Sequence, residues 1–167
     1  MEDINLNVSL VTVERLASIL PGRIMAVDYG DVRTGVAFSD ESQTMAFGQS
    51  TISPGGARKT ALELSKMARE NKVVAVVVGN PINMDGSHGE RSQKMQDFAL
   101  MLARRLDPVP VTLFDERMTT MVAARYLNET NTRGQKRRSV IDTLSAQIIL
   151  QNALDRLKHL RESNNLQ

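Results

Sequence analysis

The chain has 167 residues, 41% hydrophobic and 24% charged, enough to bury one sizeable core and too few for two ordinary domains. Its 21 basic and 19 acidic side chains leave a net charge of +2, so charge alone names no partner. With no cysteine and only His88 and His159 as imidazoles, a disulfide scaffold, a thiol nucleophile and thiolate-bound zinc or iron–sulfur are excluded. Any metal site must be built mainly from oxygen ligands, which suits hard cations such as Mg²⁺ or Mn²⁺. No stretch reaches the ~20 apolar residues of a membrane span, and Glu2 and Asp3 stand where a signal peptide is basic, so a soluble, cytoplasmic protein is expected. Six aromatic residues without tryptophan argue against a broad base-stacking platform.

Residues 4–20 mix two patterns. Ile4, Leu6, Val8 and Leu10 alternate like a strand, while Val13, Leu16, Ala17 and Leu20 are spaced like a helix, ended by Pro21-Gly22. This reads as an N-terminal extension over 1–21 that packs on the main domain. The apolar runs 23–29 and 34–39 form a hairpin, with a third strand around 49–53. After Pro54-Gly55-Gly56, Ala57, Ala61, Leu64 and Ala68 mark a helix face. Val73 to Val78 is unbroken and rich in β-branched residues, a strand covered on both faces. Met95, Phe98, Ala99, Leu102 and Leu106 keep helical spacing, and a fifth strand follows at 109–114. A helix from about 119 to 128, a polar stretch over 129–138 and a last helix over about 139–160 complete the order, with a tail at 161–167. Three strands in a meander followed by alternating helices and strands predict one α/β domain over 22–160, a five-stranded mixed sheet flanked by helices.

Four constellations carry candidate chemistry. Asp28 ends a predicted inner strand with Gly30 two residues on, where the missing side chain lets a phosphate or metal approach; a simple turn start is the competing use. The loop after the buried strand, with Gly79, Asn83, Asp85 and Gly86, lies where open sheets hold ligands, although Asp85-Gly86 is also an ordinary turn. Asp115, Glu116 and Arg117 follow the fifth strand, next to Thr119 and Thr120, either of which can cap a helix and leave the acids solvated. Asp142 precedes Ala146, Ile149, Ala153 and Leu160 at i+4, i+7, i+11 and i+18, so it lies on an apolar stripe and faces the protein. Desolvating a carboxylate there is costly unless a cation meets it. A first-turn partnership with the helix dipole is the duller explanation.

Asp28, Glu116 and Asp142 are thus three carboxylates, distant in sequence, that could meet at one sheet edge. Their mutual repulsion would be relieved by divalent cations, and two such ions activate water and clamp the oxygens of a phosphodiester. Residues 117–142 hold Arg117, Arg125, Arg133, Lys136, Arg137 and Arg138 against Glu129 and Asp142, a local charge of +4 suited to phosphate contacts. A solvated surface run is the alternative for these bases.

Together the stretches DYGDVRTGVAFSD, VVVGNPINMDGS, DERMTT and KRRSVIDTLSAQIIL, in this order, resemble the YqgF/RuvX family of ribonuclease H-like proteins, described both as Holliday junction resolvases and as pre-16S rRNA nucleases. The resemblance spans roughly 22–157. It departs at Asn80, where the family usually has an apolar residue, at Met118 for a common leucine, and in the first twenty or so residues. It implies an RNase H-like fold with Asp28, Glu116 and Asp142 as an acidic triad holding Mg²⁺ or Mn²⁺, with Asp85 and Asp115 as rivals of Glu116. Arg33, Asn83, Arg117, Lys136, Arg137 and Arg138 are candidate nucleic-acid contacts, and Gly30, Gly35, Gly79 and Gly86 candidate structural glycines. The implied activity is a metal-dependent endonuclease on structured nucleic acid, preferably the 5′ end of precursor 16S rRNA, acting as monomer or homodimer. A DNA junction resolvase and a non-catalytic nucleic-acid binder are the alternatives; a nucleotide-binding protein of the sugar kinase and actin group would need two such domains, more than this length supplies.

Overall fold

The structure, a computed structural model, describes residues 7–80, 89–115 and 134–165. The unbroken valine run becomes β4 (Ala75–Asn80), buried along its whole length because it lies inside the sheet with helices over both faces. The other strands are β1 (Ile24–Asp28), β2 (Thr34–Ser39), β3 (Ala46–Ile52) and β5 (Val111–Asp115). They form one sheet in the order β3-β2-β1-β4-β5. Strands β1, β2 and β3 are antiparallel neighbours, whereas β1, β4 and β5 run parallel, the expected meander plus parallel strands.

Helices α2 (Ala57–Glu70) and α3 (Glu90–Leu106) cover one face. Ala61, Leu64, Phe98, Ala99 and Leu102 meet Met25, Val27, Val76 and Val78 there. The long helix α4 (Gly134–Asn165) covers the other, burying Ala146, Ile149, Leu150, Ala153, Leu154 and Leu157 on Ile24, Ala26, Ala37, Ala75 and Val77. Each fully buried leucine of this stripe contributes roughly 1.5–3 kcal/mol. The strands beneath α4 present alanine and glycine, so the helix comes very close. A Cβ on Gly35 would lie 2.0 Å from the Asp142 carbonyl oxygen, and one on Gly48 would lie 2.7 Å from Thr143 Cγ2. Thr143 and Thr51 hydroxyls bond at 2.8 Å, and Gln151 accepts from the Ala46 amide at 3.0 Å, fixing the helix against β3.

Two expectations need correction. Helix α4 begins at Gly134, five residues before the expected start, so the end of the stretch read as polar loop is helical. It also runs through Asn165, past residue 160. The expected helix over 119–128 lies outside the described residues.

The N-terminal segment is packed in. Val11 bridges to Thr112 and its N–H donates to the Val111 carbonyl at 3.0 Å, covering the β5 edge. Helix α1 (Val13–Leu16) buries Leu16 completely, and Arg161 of α4 donates to the Ala17 carbonyl and to Gln43 Oε1 at 3.0 and 2.7 Å. Among the described residues no helix is long and apolar enough to cross a membrane.

Candidate active site

Strand alternation sets the first carboxylate. Ile24 and Ala26 point to the α4 face while Met25 and Val27 point to α2 and α3, so Asp28 falls on the α4 face at the carboxyl end of β1. The chain just beyond it is held by Tyr29, which stacks on Phe98 with ring centroids 3.9 Å apart and planes 10° from parallel, worth about 0.5–1.5 kcal/mol beyond burial. Gly30 then permits the tight return to β2, since a Cβ there would lie 2.4 Å from the Arg33 carbonyl oxygen.

The second carboxylate arrives from above. Asp28 pairs across the ladder with Gly35, and the Asp142 carbonyl rests on that same glycine. Asp28 and Asp142 therefore share one face and one end of the sheet, with Gly35 as their common neighbour. On the other side of Asp28, Gly79 of β4 continues the register set by Val27 and Val78 and brings no side chain to that face. The gap left by Gly35 is filled by the α4 backbone, which is what brings Asp142 to this end of the sheet.

Asp142 is not in the first turn of its helix. It is the ninth residue of α4, more than two turns from the N-terminus, where the dipole acts weakly. Its side chain is only 20% exposed, and its cationic partner is Arg33, whose Nε donates to Oδ2 at 2.8 Å. The inward stripe thus needed a counter-charge, and the residue supplying it is 109 positions away.

Other candidates divide cleanly. Leu113 packs toward α3 and Phe114 toward α4, so Asp115 belongs to the α2–α3 face, opposite to Asp28. Asn80 faces α3 as well, accepting a hydrogen bond from the Ser92 hydroxyl at 2.9 Å, both residues buried. Glu116, Arg117, Asn83, Asp85 and Gly86 lie outside the described residues. Lys136, Arg137 and Arg138 are on the first two turns of α4, with Arg138 one turn before Asp142; their side chains are outside the described set. Among the described residues no three Asp, Glu or His side chains gather into a metal-holding group.

Sequence reasoning did not single out a hollow of about 220 Å³ on the opposite side of the β1–β2 connection, lined by Gly30, Asp31, Glu90, Arg91, Lys94 and Met95. Lys94 bonds Asp31 at its mouth and holds that carboxyl below its ordinary value, while Asp31 holds the Lys94 ammonium above its own. The partners are 63 residues apart, and no local motif joins them.

A mixed five-stranded sheet of this order, with helices on both faces, is the ribonuclease H-like fold. Residues 22–156 match the RuvX family, described as Holliday junction resolvase, and the chain belongs to that family. A relative from Ruminiclostridium cellulolyticum named "Putative pre-16S rRNA nuclease" is 38% identical over 142 residues, 84% of this chain and 99% of its own. Relatives of the same name from Paracoccus denitrificans and Halothermothrix orenii are 41% and 44% identical, covering 89% and 80% of this chain and 94% of theirs. Among solved structures, the yeast mitochondrial Holliday junction resolvase matches with a TM-score of 0.51 at 12% identity over 90% of this chain and 87% of its own. Thermus thermophilus RuvC bound to a Holliday junction substrate matches with a TM-score of 0.50 at 12% identity over 81% of this chain and 96% of its own. These likenesses carry the fold.

Proposed function

We propose that the chain is a metal-dependent endonuclease of the cytoplasm that hydrolyses phosphodiester bonds in structured nucleic acid, its substrate the precursor of 16S rRNA. The observation that carries this reading is the convergence of Asp28 and Asp142 on one face at one end of the sheet, with Gly35 as their common neighbour. The relatives named for pre-16S rRNA support the choice of substrate.

The donor set fits hard divalent cations. It offers carboxylate oxygens and no thiolate. We assign Asp28, Asp142 and Glu116 as ligands of Mg²⁺ or Mn²⁺, Glu116 being the residue that follows β5; the strand alternation speaks against Asp115. Bound divalent ions, two in this reading, supply activation of water and neutralise charge on the leaving oxygen. The protein's part is to hold its carboxylates ionised and oriented, and to grip the phosphate backbone with Arg33, Arg117, Lys136, Arg137 and Arg138 while Asn83 contacts the substrate. We assign the nuclease unit to 22–165, through the end of α4, with 1–21 as an N-terminal extension.

Asp28→Asn and Asp142→Asn should each abolish Mn²⁺-dependent cleavage of a precursor 16S rRNA fragment while leaving thermal unfolding near wild type. Full cleavage by Asp28→Asn refutes the assignment. The family description and the fold favour one second reading, a resolvase of four-way DNA junctions. Symmetric incision of a junction needs two sites related by a two-fold axis, so a homodimer on junction DNA supports it, and a monomer that cuts only the rRNA fragment excludes it.

A further inference from the structure

We infer that Arg33 is an exchangeable counter-ion. It neutralises Asp142 while the acidic site lacks a divalent cation, and it transfers to a phosphate oxygen of the nucleic acid when the cation takes its place at Asp142. This rests on the metal-site reading above.

Asp142 faces the protein two turns into α4, four-fifths buried, and cannot lean on the helix N-terminus for its charge. Arg33 meets that need through a single bond from Nε at 2.8 Å rather than through the two-pronged contact that ties a guanidinium most firmly to a carboxylate. The backbone of Arg33 is fixed, its carbonyl packed against Gly30, yet its side chain keeps 35% of its surface in solvent. The guanidinium can therefore swing while its Cα stays in place. A divalent ion on Asp142 and a guanidinium bonded to the same carboxylate repel each other, so the ion's arrival loosens an arginine held by only one bond. A nucleic-acid backbone approaching the ion brings phosphate oxygens to the same sheet edge, and arginine recognises phosphate as readily as carboxylate. The exchange makes metal and substrate favour each other's binding, because the ion frees the side chain that the phosphate uses.

The test is Mn²⁺ binding to the full chain without nucleic acid, measured by calorimetry for wild type, Arg33→Gln and Arg33→Lys. Removing the competing charge should tighten Mn²⁺ binding about two- to fivefold in Arg33→Gln, given the modest worth of a partly exposed ion pair, with a smaller change in Arg33→Lys. Unchanged affinity overturns the exchange. So does weaker binding in Arg33→Gln, which means that the arginine steadies Asp142 for the ion. A second measurement needs no variant: saturating wild type with Mg²⁺ should move the ¹⁵N signal of Arg33 Nε to its solvent-exposed position, and a signal that stays put overturns the exchange. If wild type binds neither ion, or Asp142→Asn binds as well as wild type, the metal-site reading itself fails. If Asp142→Asn loses the ion while Arg33→Gln is indifferent, only the exchange fails.

Discussion

Gly35→Ala tests the joint on which both the fold and the proposed site depend. The added methyl would lie 2.0 Å from the Asp142 carbonyl oxygen and 2.4 Å from its carbon, where ordinary contact begins at 3.4 Å. Relief must therefore come from moving backbone by up to about 1.4 Å, since nothing flexible is in the way. Strand β2 is held by ladders on both sides, so α4 has to lift. Overpacking of this kind costs about 3 kcal/mol at the severe end, and the stiffer unfolded chain of alanine returns roughly 0.5 kcal/mol. A net loss near 2.5 kcal/mol lowers the melting temperature by about 5–10 °C in a chain of this size. The same lift draws Asp142 away from Asp28, and a misplacement of about 1 Å at a catalytic group can cost roughly 100-fold in rate. Gly48→Ala is the internal control. Its methyl meets Thr143 Cγ2 at 2.7 Å and Gln147 Oε1 at 3.1 Å, side-chain atoms rather than backbone, so although Thr143 is stiff and held by Thr51 its loss should be smaller, about 1–2 kcal/mol. Urea unfolding of both variants, alongside cleavage of the rRNA fragment and Mn²⁺ titration, decides the matter. A Gly35→Ala protein no less stable than Gly48→Ala, or one that cleaves at the wild-type rate, refutes the close seating of α4.

Ser92→Ala should cost about 1–3 kcal/mol in urea unfolding, because it leaves Asn80 Oδ1 buried without its hydroxyl donor. In the β2–β3 connection the Ser42 hydroxyl, then the Met45 and Thr44 amides, hold the Asp40 carboxyl below its ordinary 3.8. A lowered folded-state value means that the stabilisation is present above the unfolded value and fades as pH falls through the folded one. Asp40→Ala should thus lower the melting temperature at pH 7, with the gap to wild type narrowing as the pH falls below the ordinary 3.8. Arg161→Met removes the donor to Ala17 and Gln43, and faster hydrogen exchange at the Val11 amide should follow while exchange in β4 stays slow.

Much of the fold was legible because its strands and two main helices carry their burial in their spelling. The valine run of β4 and the spacing of Met95, Phe98 and Leu102 in α3 state which faces are covered before any contact is known. The start of α4 was hidden for the opposite reason. Gly134-Gln-Lys-Arg-Arg has no apolar residue to show a period, so its helical turns look like loop. That misreading propagated to the chemistry, since an acid thought to open a helix has a dipole to explain it, whereas an acid nine residues in does not.

The candidate site was legible in halves. Asp28 declared itself by ending an apolar strand before glycine, and Asp142 by interrupting an apolar stripe, both local signals. What joins the halves is Gly35, a residue whose importance lies in the atoms it lacks. Its neighbour on the helix is more than a hundred positions away, and no periodicity encodes that contact. The same distance separates Arg33 from Asp142, so an arginine that reads in sequence as a phosphate contact is found holding a carboxylate. The two roles call on one property, a fixed positive fork that accepts either anion. Two turns of α4 thus carry Asp142 beyond the reach of its own helix terminus, and Gly35 lets the helix descend far enough for a side chain from the β1–β2 connection to supply the missing charge. A carboxylate buried this way and neutralised by a movable cation is prepared to trade that cation for another, which is the property a divalent-ion site requires.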